Sequence, residues 1–283
     1  MGLVMKLPLK LAATLATLGF VACAPTPAPT PQTFRVEVSA RVNSATPSFQ
    51  IKQKLAAVVV TRSSDLSGWA ERKFVLSQAP SDANGGSATP ISRDGYFLTA
   101  SHVIKKSFGQ HIYIVYSGGG LVKICRARVI WDNPSADMAL LHIPVETPHY
   151  YRWASFNQKQ APGKMLFNGG MRWKDDLNPR SSLSSNGSLI YGWVSDSKKT
   201  SEGRLSSSIA AEGDSSGSQK FDMDLPLMPG DSGGPVVDSS GRLVGVNSSV
   251  QVFDTGVNAY FISSTGVRPN LNKIESLIRA DRS

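Results

Sequence analysis

Gly230-Asp231-Ser232-Gly233-Gly234-Pro235 is the stretch of this 283-residue chain that decides its fold. A glycine at 230 lets the backbone turn, so that the N–H groups of Gly230 and Ser232 can point at one developing negative charge. Gly233 and Gly234 keep the space behind the Ser232 hydroxyl small. Acyl transfer requires a nucleophilic hydroxyl beside such converging donors. The stretch therefore predicts Ser232 as a nucleophile, with Gly230 and Ser232 as its oxyanion hole.

A hydroxyl nucleophile needs a base, and the base needs a carboxylate that orients it. The candidate bases are the four histidines of the chain, His102, His111, His142 and His149. Among the carboxylates between His102 and Ser232, Asp137 is the candidate orienter and Asp132 is its rival. Asp137 is followed directly by the apolar segment Met138-Ala139-Leu140-Leu141, whereas Asp132 is not.

These segments resemble the trypsin-like superfamily and are most similar to bacterial HtrA-type protease domains. The resemblance covers residues 56–279 and lies in Thr99-Ala100-Ser101-His102, in Asp137-Met138-Ala139-Leu140-Leu141 and in the six-residue stretch around Ser232. The order His, Asp, Ser is that of the chymotrypsin class. The segments 87–99 and 256–263 resemble the parts that lead to the histidine and form the last strand.

The resemblance implies an all-β fold of two six-stranded antiparallel β-barrels, with the active site between them and a C-terminal helix. It also implies a catalytic triad of His102, Asp137 and Ser232, which hydrolyses a protein or peptide substrate through an acyl-enzyme. No metal or other cofactor is expected. The length leaves no room for a PDZ domain, so we expect a protease domain without one.

The predicted substrate pocket differs from that of the digestive proteases of the trypsin-like superfamily. The position that corresponds to the base of the pocket is Pro226, which supplies no negative charge for an Arg or Lys side chain. We expect the pocket walls near Asn247-Ser248-Ser249 and near Gly256 and Asn258. The activating Ile-Val-Gly-Gly tetrapeptide of those relatives is missing from the sequence. The partner of Asp231 is therefore open, and an arginine within the chain is one candidate.

The N-terminus has the pattern of an export signal. Residues 1–22 carry Lys6 and Lys10 before a short apolar run, which is typical of a signal peptide and too short to span a membrane. Phe20-Val21-Ala22-Cys23 resembles a bacterial lipobox, which predicts lipidation of Cys23 and a lipid-anchored, Pro-rich linker over residues 23–50. Cleavage after Ala24 is the alternative. Both predict a protein of the bacterial cell envelope or a secreted one.

Composition bounds the remaining choices. With 41% hydrophobic and 18% charged residues, the chain can bury a core, and we expect one domain over residues 51–283. The net charge of +9 is not concentrated in any dense basic run, so we predict a solvated basic surface and no nucleic-acid partner. Cys125 lies in an apolar stretch and is expected to be a buried, inert thiol.

Hydrophobic patterning predicts a series of short strands from Lys52 onward. Only the segment from Val267 to Arg279 has helical spacing. The stretch 173–220 is rich in Ser, Gly and charged residues, and we expect it to form long loops around one strand at Leu189–Val194.

Two functions compete with a protease. A binding protein of the cell envelope can keep the trypsin fold without activity, but such proteins usually lose one member of the triad. A structural lipoprotein with a coincidental Ser/Gly motif is the other, and the ordered His, Asp and Ser segments count against it.

Overall fold

A computed structural model describes residues 32–35, 46–64, 84–105, 109–118, 121–155, 163–171, 198–210, 216–254 and 259–283. Strands dominate these ranges: β1 (Gln32–Arg35), β2 (Ala56–Thr61), β3 (Asn84–Pro90), β4 (Tyr96–Thr99), β5 (His111–Gly118), β6 (Leu121–Arg126), β7 (Arg128–Asn133), β8 (Met138–His142), β9 (Met165–Met171), β10 (Lys198–Ala210), β11 (Gln219–Met223), β12 (Pro235–Asp238), β13 (Leu243–Asp254) and β14 (Ala259–Arg268). The helices are α1 (Pro47–Lys54), a 3-10 helix (Ser101–Ile104) and α2 (Leu271–Arg282).

The N-terminal half is a curled antiparallel sheet with the order β1-β6-β5-β2-β3-β4-β8-β7. Only Ala127 separates β6 from β7, and its N–H donates to the Ile112 carbonyl at 2.8 Å. The two strands therefore act as one strand that bends at Ala127 and joins the two ends of the sheet. Counted in this way the sheet has six strands, and β1 is added at the outer edge of β6.

The C-terminal half is a closed six-stranded barrel with the order β10-β11-β14-β13-β12-β9. All its strand pairs are antiparallel. A closed barrel leaves no unpaired sheet edge along its wall. The predicted all-β architecture of two antiparallel barrels followed by a C-terminal helix is confirmed.

Alternating apolar side chains fill each barrel. In the N-terminal barrel Val58, Val60 and Ile114 are fully or almost fully buried beside Phe97. In the C-terminal barrel Phe221, at 0% exposure, is the largest side chain of a cluster that includes Val236 and Val244. Helix α2 adds Ile274 and Ile278 to a third cluster that also contains Leu140 of β8. This third cluster joins the two halves.

Helix α1 was not predicted, and it crosses the expected boundary between linker and domain at residue 50. The Thr46 hydroxyl accepts a hydrogen bond from the Phe49 N–H, and Pro47 occupies the first turn, where its missing N–H costs nothing. Ile51 is fully buried against Tyr151 and Leu243. Within the segment predicted as linker, Gln32–Arg35 forms β1, which pairs with β6.

The predicted loop over residues 195–220 is wrong over Lys198–Ala210, which is a 13-residue strand. Its composition of Ser, Gly and charged residues has little preference for strands. Pairing with β9 on one side and β11 on the other supplies the hydrogen bonds that hold it extended. The strand predicted at Leu189–Val194 lies outside the described residues, as do Cys23 and the predicted signal peptide.

Cys125 is buried, and burial raises the pKa of its thiol to about 12. The thiol is therefore protonated at neutral pH, which agrees with the inert role predicted for it. No helix in the described ranges is both long enough and apolar enough to cross a membrane.

Candidate active site

Ser232 lies in a tight turn between β11 and β12 of the C-terminal barrel, directly before β12. Gly230 and Gly233 have φ angles of +96° and +82°, which favour glycine. The Gly233 N–H donates to the Asn247 carbonyl, and the Gly234 N–H donates to the Asp231 carbonyl, at 2.8 and 2.9 Å. A side chain at Gly233 would collide with the Ser87 carbonyl and the Thr99 hydroxyl. Glycine is therefore required where the turn meets the N-terminal barrel.

Strand β3 of the N-terminal barrel holds the same turn from the other side. The Ser87 N–H donates to the Ser232 carbonyl at 2.8 Å, and the Ser87 hydroxyl donates to the Gly230 carbonyl at 2.6 Å. The Thr89 hydroxyl donates to the Gly233 carbonyl at 2.9 Å. The nucleophile turn, which we define as residues 228–234 around the predicted nucleophile Ser232, thus lies at the junction of the two barrels and is fixed by both.

His102 lies in the 3-10 helix that follows β4, and its ring faces Asp137. The distance from His102 Nδ1 to each carboxylate oxygen of Asp137 is 2.9 Å, and the His102 backbone N–H donates to Oδ1 at 3.0 Å. A carboxylate only accepts hydrogen bonds, so in the neutral ring the proton is on Nδ1 and the lone pair is on Nε2. The His102 side chain is 49% exposed.

Asp137 occupies the turn between β7 and β8 with a φ of +52°, a left-handed conformation that Asp tolerates better than most residues. Its Oδ2 accepts a hydrogen bond from the Ser248 hydroxyl at 2.6 Å. Partial burial raises the pKa of the Asp137 carboxyl, but hydrogen bonds from the His102 ring, the Ser248 hydroxyl and the His102 N–H outweigh it. The net pKa lies below its usual value, so the carboxylate is charged.

The Ser232 hydroxyl donates to the Ser248 carbonyl at 3.4 Å, a weak hydrogen bond. Within the described ranges it has no hydrogen bond to His102. Catalytic hydrogen bonds are often long before substrate binds, and rotation about the Cα–Cβ bond can redirect the hydroxyl. The N–H groups of Gly230 and Ser232 donate to no acceptor in the described part of the chain. Two unpaired donors therefore flank the hydroxyl.

Residues 86–246 match the family of trypsin-like peptidase domains. The chain belongs to this family. Solved structures with a similar fold include the HtrA-type protease AlgW with a tripeptide, at 17% identity and a TM-score of 0.54, with 83% of this chain and 62% of that chain covered. AlgW with a decapeptide is similar at 17% identity and a TM-score of 0.56, covering 84% of this chain and 68% of that chain. The chain thus spans less than two thirds of the length of the first of these structures. A comparison with curated proteins finds no match.

In this trypsin-like domain Asp231 is 1% exposed, and its Oδ2 accepts a hydrogen bond from the Met228 N–H at 2.9 Å. A backbone donor within the same turn is thus one partner of the carboxylate that the sequence left open. No freed N-terminal amine is involved in this contact. The turn can therefore hold Asp231 inward by its own local hydrogen bond.

Asn247 is fully buried, and its side-chain amide donates to the carbonyls of Gly169 and Asp231 at 3.2 Å. The place of Asn247 in the pocket wall stays a prediction. The buried amide supports the turn that carries Ser232. Sequence patterning could not reveal this, because an amide has no periodicity that distinguishes a buried support from a pocket wall.

The other predicted pocket residues divide into three groups. Ser248 is almost buried, and its hydroxyl is directed to Asp137, which the sequence did not predict. Ser249 and Pro226 are exposed. Gly256 and Asn258 lie outside the described residues.

Across the described ranges, no group of three or more His, Cys, Asp or Glu side chains is arranged to hold a metal ion.

Proposed function

We propose that this trypsin-like domain is a serine endopeptidase with the triad His102, Asp137 and Ser232. The observation that carries the proposal is the contact of the His102 ring with Asp137 at 2.9 Å, which makes Nε2 the basic nitrogen of the neutral ring. A base in this tautomer can take the proton of a serine hydroxyl. The nucleophile turn supplies that serine beside two N–H donors that have no acceptor among the described residues.

In the proposed reaction the Ser232 oxygen attacks the scissile carbonyl while His102 Nε2 takes the hydroxyl proton. Asp137 holds the ring and stabilises the imidazolium, and the N–H groups of Gly230 and Ser232 bind the oxyanion. The C–N bond then breaks, and the amine leaves with the proton from His102. Water, deprotonated by the same ring, hydrolyses the acyl-enzyme and restores the serine.

Hydrolysis of an unfolded protein substrate tests this proposal. We expect the purified chain to cleave reduced, unfolded casein, and Ser232→Ala to abolish the cleavage. Ser239→Ala is the matched control, because Ser239 is an exposed serine in the β12–β13 turn and is expected to leave the rate unchanged. Cleavage that survives Ser232→Ala would refute the proposed nucleophile.

An inactive binding protein is the second candidate function. The observation that favours it is the direction of the Ser232 hydroxyl, which bonds to the Ser248 carbonyl and not to His102. This candidate predicts that unfolded peptides bind but are not cleaved by wild-type protein. Peptide binding by Ser232→Ala with the same affinity as wild type, without turnover in either, would favour it over the endopeptidase.

For specificity we propose a neutral pocket with Pro226 at its base. The pocket is expected to reject Arg and Lys, because no carboxylate stands at that position to pair with their charge. Cleavage of a mixed peptide library, read by mass spectrometry, checks this. Dominant cleavage after Arg or Lys would contradict it.

We also propose that Cys23 is lipidated and anchors the domain to the bacterial cell envelope. The support is the lipobox-like segment before Cys23 and the proline repeat after it, which favours an extended spacer. The mature chain is expected to begin with an acylated cysteine, as read by mass spectrometry of the N-terminal peptide. A mature chain that begins at Ala24 or Pro25 would refute the anchor.

A further inference from the structure

Ser101, the residue before His102, makes a hydrogen bond that the proposed mechanism does not use. Its side-chain hydroxyl donates to Asp132 Oδ1 at 2.6 Å, and Ser101 is only 5% exposed. Asp132 is an exposed residue near the end of β7. Asp132 is also the carboxylate that competed in the sequence with Asp137 as the orienter of the base. Asp132 and Asp137 therefore accept hydrogen bonds from two different residues of the 3-10 helix.

Both acceptors belong to the same hairpin. Asp132 pairs with Ala139 across β7 and β8, and Asp137 stands in the turn between these strands. The Asp137 N–H donates to the Pro134 carbonyl at 3.2 Å, and the Ser135 hydroxyl donates to the Asn133 side chain at 2.6 Å, so the turn has hydrogen bonds of its own. Consecutive residues of the 3-10 helix therefore contact two points on one hydrogen-bonded hairpin.

The contacts of the 3-10 helix divide between its two ends. Val103 and Ile104, at 4% and 6% exposure, pack into the core of the N-terminal barrel. The end that carries His102 has no side-chain cap, because Ala100 precedes it, and the His102 side chain is about half exposed. The hydrogen bonds of Ser101 and His102 to the hairpin therefore fix the end of the helix from which the ring extends.

We propose that Ser101 and Asp132 form a positioning pair, which fixes the helix that carries His102 against the hairpin that carries Asp137. The inference rests on the proposed function, in which His102 is the general base. Neither residue of the pair touches the reacting atoms. Their effect passes through the position of the His102 ring, so it is expected in the chemical step and not in substrate binding.

Steady-state kinetics of variants in the full chain test the pair. Ser101→Ala and Asp132→Ala are each expected to lower kcat by about 10- to 100-fold, because a misplaced base loses rate steeply, with KM changed less than about twofold. The double variant is expected to be no slower than either single variant, because all three lack the same hydrogen bond. Asp132→Asn is expected to stay within about threefold of wild type, since its amide oxygen still accepts from Ser101.

Ser240→Ala is the matched control. It removes a serine hydroxyl that donates to an aspartate, Asp238, over the same 2.6 Å, but this bond lies in the β12–β13 turn and does not reach the helix of His102. Its kcat is expected to equal that of wild type. A kcat for Ser101→Ala within twofold of wild type, or losses that multiply in the double variant, would overturn the pair.

A second measurement does not depend on catalysis. The proton on His102 Nδ1, bonded to Asp137, gives a low-field NMR resonance that is assigned by its loss in His102→Ala. We expect it to be sharp in wild type and Ser240→Ala, and broadened by exchange with water in Ser101→Ala. An unchanged resonance in Ser101→Ala overturns the pair. Broadening in Ser101→Ala, together with no Ser232-dependent cleavage by wild type, would refute the proposed function and leave the pair standing.

Discussion

Asp137 is the residue on which the geometry of His102 depends most directly. It accepts hydrogen bonds from the His102 ring, from the His102 N–H and from the Ser248 hydroxyl. These contacts select the Nδ1–H tautomer of the imidazole. A neutral amide in the same place would present an N–H to the ring and favour the opposite tautomer.

Asp137→Asn is therefore expected to lower kcat by about 10⁴-fold while leaving the fold intact. Asn suits the left-handed backbone of this position, with its φ of +52°, as well as Asp does. Measurement of kcat together with a circular dichroism spectrum checks both parts of this prediction. A variant that retains more than a tenth of the wild-type kcat would show that His102 does not need this carboxylate.

The same residue predicts a pH dependence of stability. Because hydrogen bonds lower the pKa of the Asp137 carboxyl in the folded protein, the unfolded chain binds the proton more readily near the ordinary Asp pKa of about 3.9. The stabilisation is therefore complete above that pH and is lost as the pH falls through the lower, folded-state pKa. Thermal unfolding between about pH 2 and 7 should show the difference in Tm between wild type and Asp137→Asn shrinking at the acidic end. A difference that does not change with pH would contradict it.

Residue identities in the site were more predictable than their contacts. The residue types at His102, Asp137 and Ser232 could be predicted from short segments of sequence. A turn with positive φ, or an acid directly before a strand, restricts which residue types can stand at a position. The contacts of Ser248 with Asp137 and of Ser87 with Gly230 join residues that are more than 100 positions apart. No pattern in a single sequence records such pairings.

At the scale of the elements, helix α2 is fastened to the N-terminal barrel by its last turn. Asp281 accepts hydrogen bonds from both terminal nitrogens of Arg128 on β7, at 2.6 and 2.9 Å, and from the Tyr96 hydroxyl on β4, at 2.8 Å. Arg282 pairs with Asp94 and lies over the Tyr96 ring. The helix that ends the chain thus connects back to the first barrel.

Asp281→Asn is expected to lower the Tm by about 2–4 °C, which corresponds to about 1 kcal/mol for a domain of this size. The amide loses the charge-assisted bonds to Arg128, and the 60% exposure of the Arg128 side chain keeps the loss modest. Differential scanning calorimetry measures the shift. Glu275→Gln is the matched control, since Glu275 is an exposed acid on the same helix, and its Tm should not change. Equal Tm shifts in both variants would contradict a specific role for Asp281.

The elements also show why some were predictable and others were not. Hydrophobic periodicity is visible in the sequence of the strands rich in Val and Ile and of the amphipathic helix α2. These elements lie close to their predicted positions. Helix α1 has few apolar residues, and its stability comes from the burial of Ile51, a tertiary contact. Strand β10 is extended because its two neighbours pair with it, in spite of its own composition.

At the scale of the whole molecule, Ser87 connects both barrels through the nucleophile turn. Its hydroxyl donates to the Gly230 carbonyl at 2.6 Å and accepts from the Met171 N–H of β9 at 2.7 Å, both in the buried interior. The Thr99 hydroxyl donates to the Ser87 carbonyl at 2.8 Å. One side chain of the first barrel therefore satisfies a donor and an acceptor of the second.

Ser87→Ala is expected to cost about 2–3 kcal/mol of the free energy of unfolding, because it leaves a buried N–H and a buried carbonyl without their partner. The specificity constant kcat/KM is expected to fall by more than about tenfold, since Gly230, whose N–H is a proposed oxyanion donor, loses the hydrogen bond at its carbonyl. Urea unfolding and steady-state kinetics measure the two effects. A variant as stable as wild type would show that the hydrogen bonds of Ser87 do not join the barrels.

The central claim is that Ser232 is a nucleophile activated by His102. Reaction with diisopropyl fluorophosphate tests it, because an activated serine displaces fluoride and gains one diisopropylphosphoryl group. Intact-mass and peptide mass spectrometry should find one such group, on Ser232, in wild type and in Ser239→Ala, and none in His102→Ala. Wild-type protein that gains no such group, or carries it at another residue, would contradict the claim.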